Sequence, residues 1–410
     1  MSGSAARRQK ALFHRPTRAM RRDLSQLVCA VVGLALGLLA PLLSVGPQVE
    51  PGRVATLLFT IGFGVISLVS IIYSMLFLVV QFSASTFTPR LGLFRDEPIV
   101  WWAFAFTVGV FVFSVTAGLA IGARSTVSVL VPCAAMVLSL VALALMQTLQ
   151  MRAFTSIQLA HSLTAIATRA HRLFDALYVR PYDPDKVGAE PSAMAGAATV
   201  RWSGPGVVVQ QIDVPSLVGV AKAHGCSIAF RVAPGRAVSR GMVLAEVTGG
   251  RLSEGVLRDA MVTGMERTFD QDPQLPFRLL VDIALRALSS AVNDPATAVD
   301  CLDRVEDLLG RLADRDLDCG RFEDEDGALR VTVPVPDWEE YVRTAVDDLV
   351  FAAGSGSGSP MALRRMRTLL TRLVERSPGS RHGVLRDRLR WVEQAGGDTH
   401  PLIWAARDGV

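Results

Sequence analysis

Lysine is almost missing from this chain: of 42 basic residues, only Lys10, Lys186 and Lys222 are not arginine. With abundant Ala, Val and Gly, the bias points to a GC-rich bacterial genome more than to arginine chemistry. Cysteine is scarce too. Cys29, Cys133, Cys226, Cys301 and Cys319 lie far apart with no CxxC pair, which excludes a zinc ribbon and argues against a disulfide framework. His161 and His171 are ten residues apart and project from different helix faces, and His224, His382 and His400 lack partners at ligand spacing. The chain has no P-loop, GxSxG, HExxH or dinucleotide fingerprint. No catalytic residue, metal or cofactor is expected.

Long apolar runs are absent after Arg152 and crowded before it. With 50% hydrophobic residues, the chain is more apolar than an ordinary soluble protein of its size, and the excess sits at the N-terminal end. Four charge-free stretches are long enough to span a bilayer: about 24–44, 54–82, 99–122 and 126–151. The first is too long, and too soon followed by three more, for a cleaved signal peptide. Arg7, Arg8, Lys10, Arg15, Arg18, Arg21 and Arg22 make residues 1–23 a basic tail, and Arg90 and Arg95 follow the second stretch. The opposite loops hold only Arg53 and Arg124 as basic residues. The positive-inside rule then puts both termini in the cytoplasm of a multi-pass inner-membrane protein. The net charge of +4 needs no nucleic acid to explain it, since basic tails serve topology and anionic head groups.

The expected fold class is an α-helical transmembrane region of four spans, then a mixed α+β cytoplasmic region with a small barrel- or sandwich-like unit and helices. Residues 152–182 read as a stalk helix leaving the bilayer and 183–199 as a linker. Residues 200–250 read as a β-rich unit interrupted by a short helix near Pro215 to His224, and 251–353 as an α/β region. Residues 354–359, "GSGSGS", read as a flexible link, and 360–410 as closing helices.

Within the second stretch, Thr60, Ser67, Ser74, Gln81 and Thr88 recur every seven residues and so share one helix face. Two readings stay open. Small hydroxyl residues let membrane helices approach and hydrogen-bond, or the row lines a water-filled path shared by several subunits. Ionisable groups are missing from the centre of every stretch, which speaks against a proton- or ion-coupled pump. Pro89 stops this helix, and Arg90 is placed to reach lipid phosphates as an interfacial anchor.

The stretch "SSAVNDPATAVDCLD" gathers Asn293, Asp294, Pro295, Thr297 and Asp303. Asp294 before Pro295 reads as a helix N-cap with proline at the first turn, and the alternative is a ligand corner. "VAPGRAVSRGMVLAEV" has the hairpin rhythm of biotinyl or lipoyl carriers. It lacks their turn lysine, because Lys222 lies in the helical interruption.

Together, "YSMLFLVVQFSASTFTPRL" and "RLLVDIALRALSSAVNDPATAVDCLD" resemble the bacterial predicted membrane proteins grouped as domain of unknown function 2254. The likeness runs from about Arg22 to Leu373. It implies a multi-pass N-terminal part and a cytoplasmic C-terminal part, and it implies no activity. At "VFAAGSGSGS" the chain departs from the family pattern. The functional expectation is a homo-oligomeric, channel-like conductance protein, with the lipid bilayer and copies of itself as partners and any protein partner left open. Its rival is a non-conducting scaffold or sensor that binds a protein or small ligand through its cytoplasmic region.

Overall fold

The computed structural model describes residues 18–42, 46–86, 98–121, 126–156, 158–184, 197–355 and 358–405. It divides into two units, an N-terminal helical one ending at Ser162 and a C-terminal one starting at Leu163.

The N-terminal unit holds α1 (Arg18–Leu39, extended by a 3-10 turn to Leu42), α2 (Pro51–Thr86), α3 (Pro98–Ile121) and α4 (Leu130–Ser156). Two short strands, β1 (Gln48–Val49) and β2 (Val127–Ser128), pair antiparallel and tie the loop before α2 to the one before α4. The helices form because apolar side chains dominate their length and, away from the ends, each backbone polar group finds its partner inside the helix. Three of them are long and apolar enough to cross a membrane: Pro51–Leu78, Trp102–Ile121 and Leu130–Arg152. Among the described residues, the expected first span, 24–44, contributes the apolar helical piece Gln26–Leu42.

Helix α3 is the centre of this unit, with 44% of its apolar window buried against 22% for α2 and α4. Val54 and Leu58 of α2 pack on Phe113, Ala117 and Ile121 of α3, and Val69, Ile72 and Leu76 pack with Ala103, Met146 and Leu149. The crossing of α1 on α3 is closer still. A Cβ on Gly33 would lie 2.4 Å from the Gly109 carbonyl oxygen, and one on Gly109 would lie 3.0 Å from that of Cys29. Small residues are what permit two helix backbones to approach this closely.

In the C-terminal unit, the expected stalk is a separate helix. α4 ends at Ser156 and α5 spans Leu159–Leu177. The apolar face of α5 (Leu163, Ile166, Ala170, Leu173, Phe174 and Leu177) is buried. Phe174 stacks on Phe277 with ring centroids 6.0 Å apart, so α5 belongs to the core of its unit.

Next along the chain come β3 (Ala198–Arg201), β4 (Val207–Ile212), α6 (Val214–Ala223), β5 (Ser227–Phe230), β6 (Ala237–Val238), β7 (Val243–Thr248), α7 (Glu254–Asp259), β8 (Met261–Gly264), α8 (Leu275–Leu288) and α9 (Pro295–Ala313). Then come β9 (Arg321–Glu323), β10 (Leu329–Thr332), α10 (Trp338–Val342), a π-helical turn (Arg343–Asp347) and α11 (Asp348–Gly354). The helices α12 (Pro360–Arg376), α13 (His382–Thr399) and α14 (Pro401–Ala405) complete it.

The strands of 200–250 do not close into a small barrel or sandwich of their own. β3, β5 and β7 enter a five-stranded sheet ordered β3-β7-β5-β10-β9, whereas β4 and β6 join β8 in a three-stranded one. β10 runs parallel to β5, with Val331 opposite Ile228. A parallel neighbour needs a long crossover, here about a hundred residues, and local hairpin rhythm carries no sign of it.

Candidate functional site

The seven-spaced row occupies the outer surface of its unit. Thr60, Ser67, Ser74 and Gln81 are exposed on α2, on the side away from Val54, Leu58, Val69, Ile72 and Leu76. The Thr60 hydroxyl donates to the Thr56 carbonyl at 2.8 Å and the Ser74 hydroxyl to Ser70 at 2.9 Å. These two groups are therefore satisfied within their own helix. Beside the row, Gly64 is exposed with nothing within 4 Å of its would-be Cβ, and Phe63, Ile71 and Phe77 are exposed too. Thr88, Pro89 and Arg90 lie outside the described residues.

The 293–303 corner resolves into separate partners. Asn293 adopts φ 50°, turning the chain between α8 and α9, and its N–H donates to Ser289 O at 2.8 Å. Asp294 is the N-cap of α9, with Pro295 in the first turn. Its carboxylate accepts from the Thr297 N–H at 3.2 Å and the Thr297 hydroxyl at 2.6 Å. The hydroxyl bond first, and the backbone N–H next, hold the Asp294 carboxyl below the usual carboxylate range. Asp303 is engaged elsewhere, accepting from Arg365 Nε of α12 at 2.6 Å, while Glu306 takes the other end of the same guanidinium. Among the described residues no three His, Cys, Asp or Glu side chains gather to hold a metal.

A different place has the shape of a ligand site. A cleft of about 600 Å³ opens in the C-terminal unit, between the turn after β5, the loop before α8 and the segments flanking β9 and β10. Its floor is set by Asp272, whose side chain is only 3% exposed. Asp272 accepts from Arg267 Nε at 2.5 Å and Nη2 at 2.9 Å, and from the N–H groups of Gln274 and Leu275 at 3.2 Å. Gln271 grips both backbone groups of Ile212, at 2.9 and 3.2 Å, which fixes the same loop to the end of β4. The Pro234-Gly235 turn rests on this floor. Gly235 has φ +86°, and a Cβ there would fall 2.1 Å from Asp272 Oδ2. Only glycine both adopts that backbone and leaves room for the carboxylate.

Behind the cleft, the hydroxyls of Tyr178 and Tyr341 meet at 2.5 Å inside the core. Burial first raises both phenols well above their ordinary range. Burial, and then Asp318, pushes the Cys319 thiol in the cleft wall up to about 12, so no thiolate nucleophile stands there near neutral pH. At the mouth, Arg231 pairs with Glu246 at 2.6 Å and Arg236 with Glu340 at 3.8 Å. The lining comes from segments spread between Leu177 and Glu340, so no single motif announces it. The one local signal is the Pro234-Gly235 turn, which reads as a hairpin.

Helices long and apolar enough to cross a bilayer, followed by a packed helix-and-sheet unit, are the pattern of a membrane protein. The chain belongs to the family of predicted membrane proteins designated DUF2254, whose model matches residues 24–372. An uncharacterized protein of Mycobacterium bovis is 28% identical over 347 residues, covering 80% of this chain and 65% of its own length. An uncharacterized protein of Mycobacterium tuberculosis matches with the same identity and coverage. The chain thus spans just under two thirds of the curated relatives it matches. No solved structure matches it.

Proposed function

We propose that the chain is a homo-oligomeric, channel-like protein of the bacterial inner membrane. In this reading the polar face of α2 turns toward a space shared between copies. Residues 1–23 and the C-terminal unit lie on the cytoplasmic side, where the unit forms a vestibule or regulatory domain. The observation that carries the reading is the outward direction of Thr60, Ser67 and Ser74, away from the seam that holds α2 in its own bundle. Exposed Gly64 and Ser70 flank the row, and small side chains permit close approach of a neighbouring helix. α1 acts as a fourth span. Its apolar piece Gln26–Leu42 is about 26 Å long at helical rise, near the thickness of a thin bilayer core, and it packs on α3 through Gly33 and Gly109. The reading assigns the chain no catalysis and no nucleic acid.

The test is planar-bilayer recording with the purified full chain, alongside its mass in lipid. Currents are expected, with conductance reduced at least severalfold by Ser74→Leu or Gln81→Leu. A monomer in lipid that passes no current would end the proposal. The second reading, a non-conducting scaffold or sensor, is favoured by the walled cleft of the C-terminal unit. It expects silent bilayers and retained ligand or partner binding.

A further inference from the structure

Small-molecule sites are clefts of roughly 300–1,000 Å³, mostly apolar, with a few placed polar groups. The cleft beside Asp272 is of this size, and it is rigid. Pro234, Pro273, Pro334 and Pro336 stand in its walls, Gly235 is pinned on Asp272, and Gly320 approaches Val333 so closely that a Cβ would meet its carbonyl oxygen at 2.1 Å. Walls that cannot rearrange lose little entropy when a ligand binds. Val232, Val333 and Val335 give them an aliphatic lining.

The charges are unequal. Three arginines line the cleft, Arg231, Arg236 and Arg267, against two acids, Asp272 and Glu340. Arg267 and Asp272 neutralise each other through two hydrogen bonds. Arg231 is held by Glu246, outside the lining, at 2.6 Å. Glu340 has a second cation, Arg343, at 3.4 Å, nearer than Arg236 at 3.8 Å. Arg236, with 62% of its side chain exposed, is therefore the guanidinium that can turn to a ligand without stranding an acid. A planar guanidinium fork matches a carboxylate or phosphate.

We propose that this cleft binds a small amphiphilic anion, its acidic head on Arg236 and its apolar body against the valine and proline walls. This rests on the reading of the C-terminal unit as ligand-binding, and it holds whether or not the protein conducts.

The experiment is calorimetric titration of the full chain in lipid nanodiscs, with empty nanodiscs subtracted. The probes are 2-naphthoate, 1-naphthyl phosphate, decanoate and neutral 2-naphthamide. At least one anion is expected to bind saturably, one per chain and at least tenfold tighter than the amide, and comparison of carboxylate with phosphate identifies the head group. Arg236→Ala should erase the preference for the anion. Val335→Trp, which fills the cleft, should abolish binding, and an unchanged melting temperature in both variants separates this from misfolding. If the amide binds as well as the anions, the anion assignment fails while the ligand-binding reading stands. If no probe binds to folded protein, or the Arg236 variant keeps its preference, the site is wrongly placed.

Discussion

Asp294 and Arg381 do comparable work with different visibility. Asp294 caps α9 through a residue three positions away, chemistry that lies wholly within a tetrapeptide's reach. Asp294→Ala should lower stability by about 1 kcal/mol, read as a lower thermal midpoint of the full chain in detergent. The pH dependence has a definite sign. Because its folded-state pKa is depressed, the carboxylate stabilises fully above its unfolded value, about 3.9. That stabilisation is lost as pH falls through the folded value, so wild-type and Asp294→Ala midpoints should converge on acidification. Arg381 is only 6% exposed. Its Nη1 donates to the carbonyls of Leu312 and Ala313 at 2.6 and 2.5 Å, and its Nη2 to that of Arg315 at 2.7 Å. The guanidinium lies over Tyr182 and Trp338, 4.5 and 4.9 Å from their ring centroids. It closes the C-terminus of α9, giving donors to the Ala313 and Arg315 carbonyls and sharing that of Leu312 with the Arg315 N–H. Arg381→Met should cost about 3 kcal/mol, and Arg381→Lys should recover only part, since an ammonium neither forks nor stacks. These contacts join residues 66 to 69 apart in sequence, so nothing near position 381 forecasts them.

At the scale of elements, apolar periodicity locates helices well and says less about what they touch. The α1–α3 crossing depends on the absence of a side chain at Gly33. Gly33→Leu should force the pair apart at a cost of about 2 kcal/mol, seen as a lower melting temperature in detergent, with Gly33→Ala intermediate. α5 shows the converse. A helix leaving a membrane span suggests a stalk, yet its spacing of Leu163, Ile166, Ala170, Leu173, Phe174 and Leu177 is that of a core helix. An ion pair supports the packing, Arg311 of α9 gripping Asp175 at 2.6 Å, and the His171 ring faces Asp307 at 2.8 Å. The strands β4, β5 and β7 were legible as segments within residues 200–250, because alternation and turn residues are local, whereas β8 and β9 carry no such signal. Their division between two sheets was not, because β10 and β8 come from far along the chain.

For the whole molecule, the choice between the proposed conducting and sensing readings turns on one face and one cleft. The face of α2 is written in the sequence as a period of seven. Its direction is decided by which residues of α2 pack on α3 and α4, and that packing leaves Ser67 and Ser74 outward. The α2 variants test that face by current and the naphthoate titration tests the cleft by heat, so either can fail alone.

The amino-acid order by itself determined the apolar helices, the family and the cap of α9, since each rests on properties repeated or completed within a few residues. Tertiary structure alone decided the partners of Arg381, the sheet assignments, the burial of α5 and the cleft on Asp272. Each of these joins segments that only long-range packing brings together, and the free energy that selects such packing is shared over many weak contacts, none of which leaves a local mark on the chain.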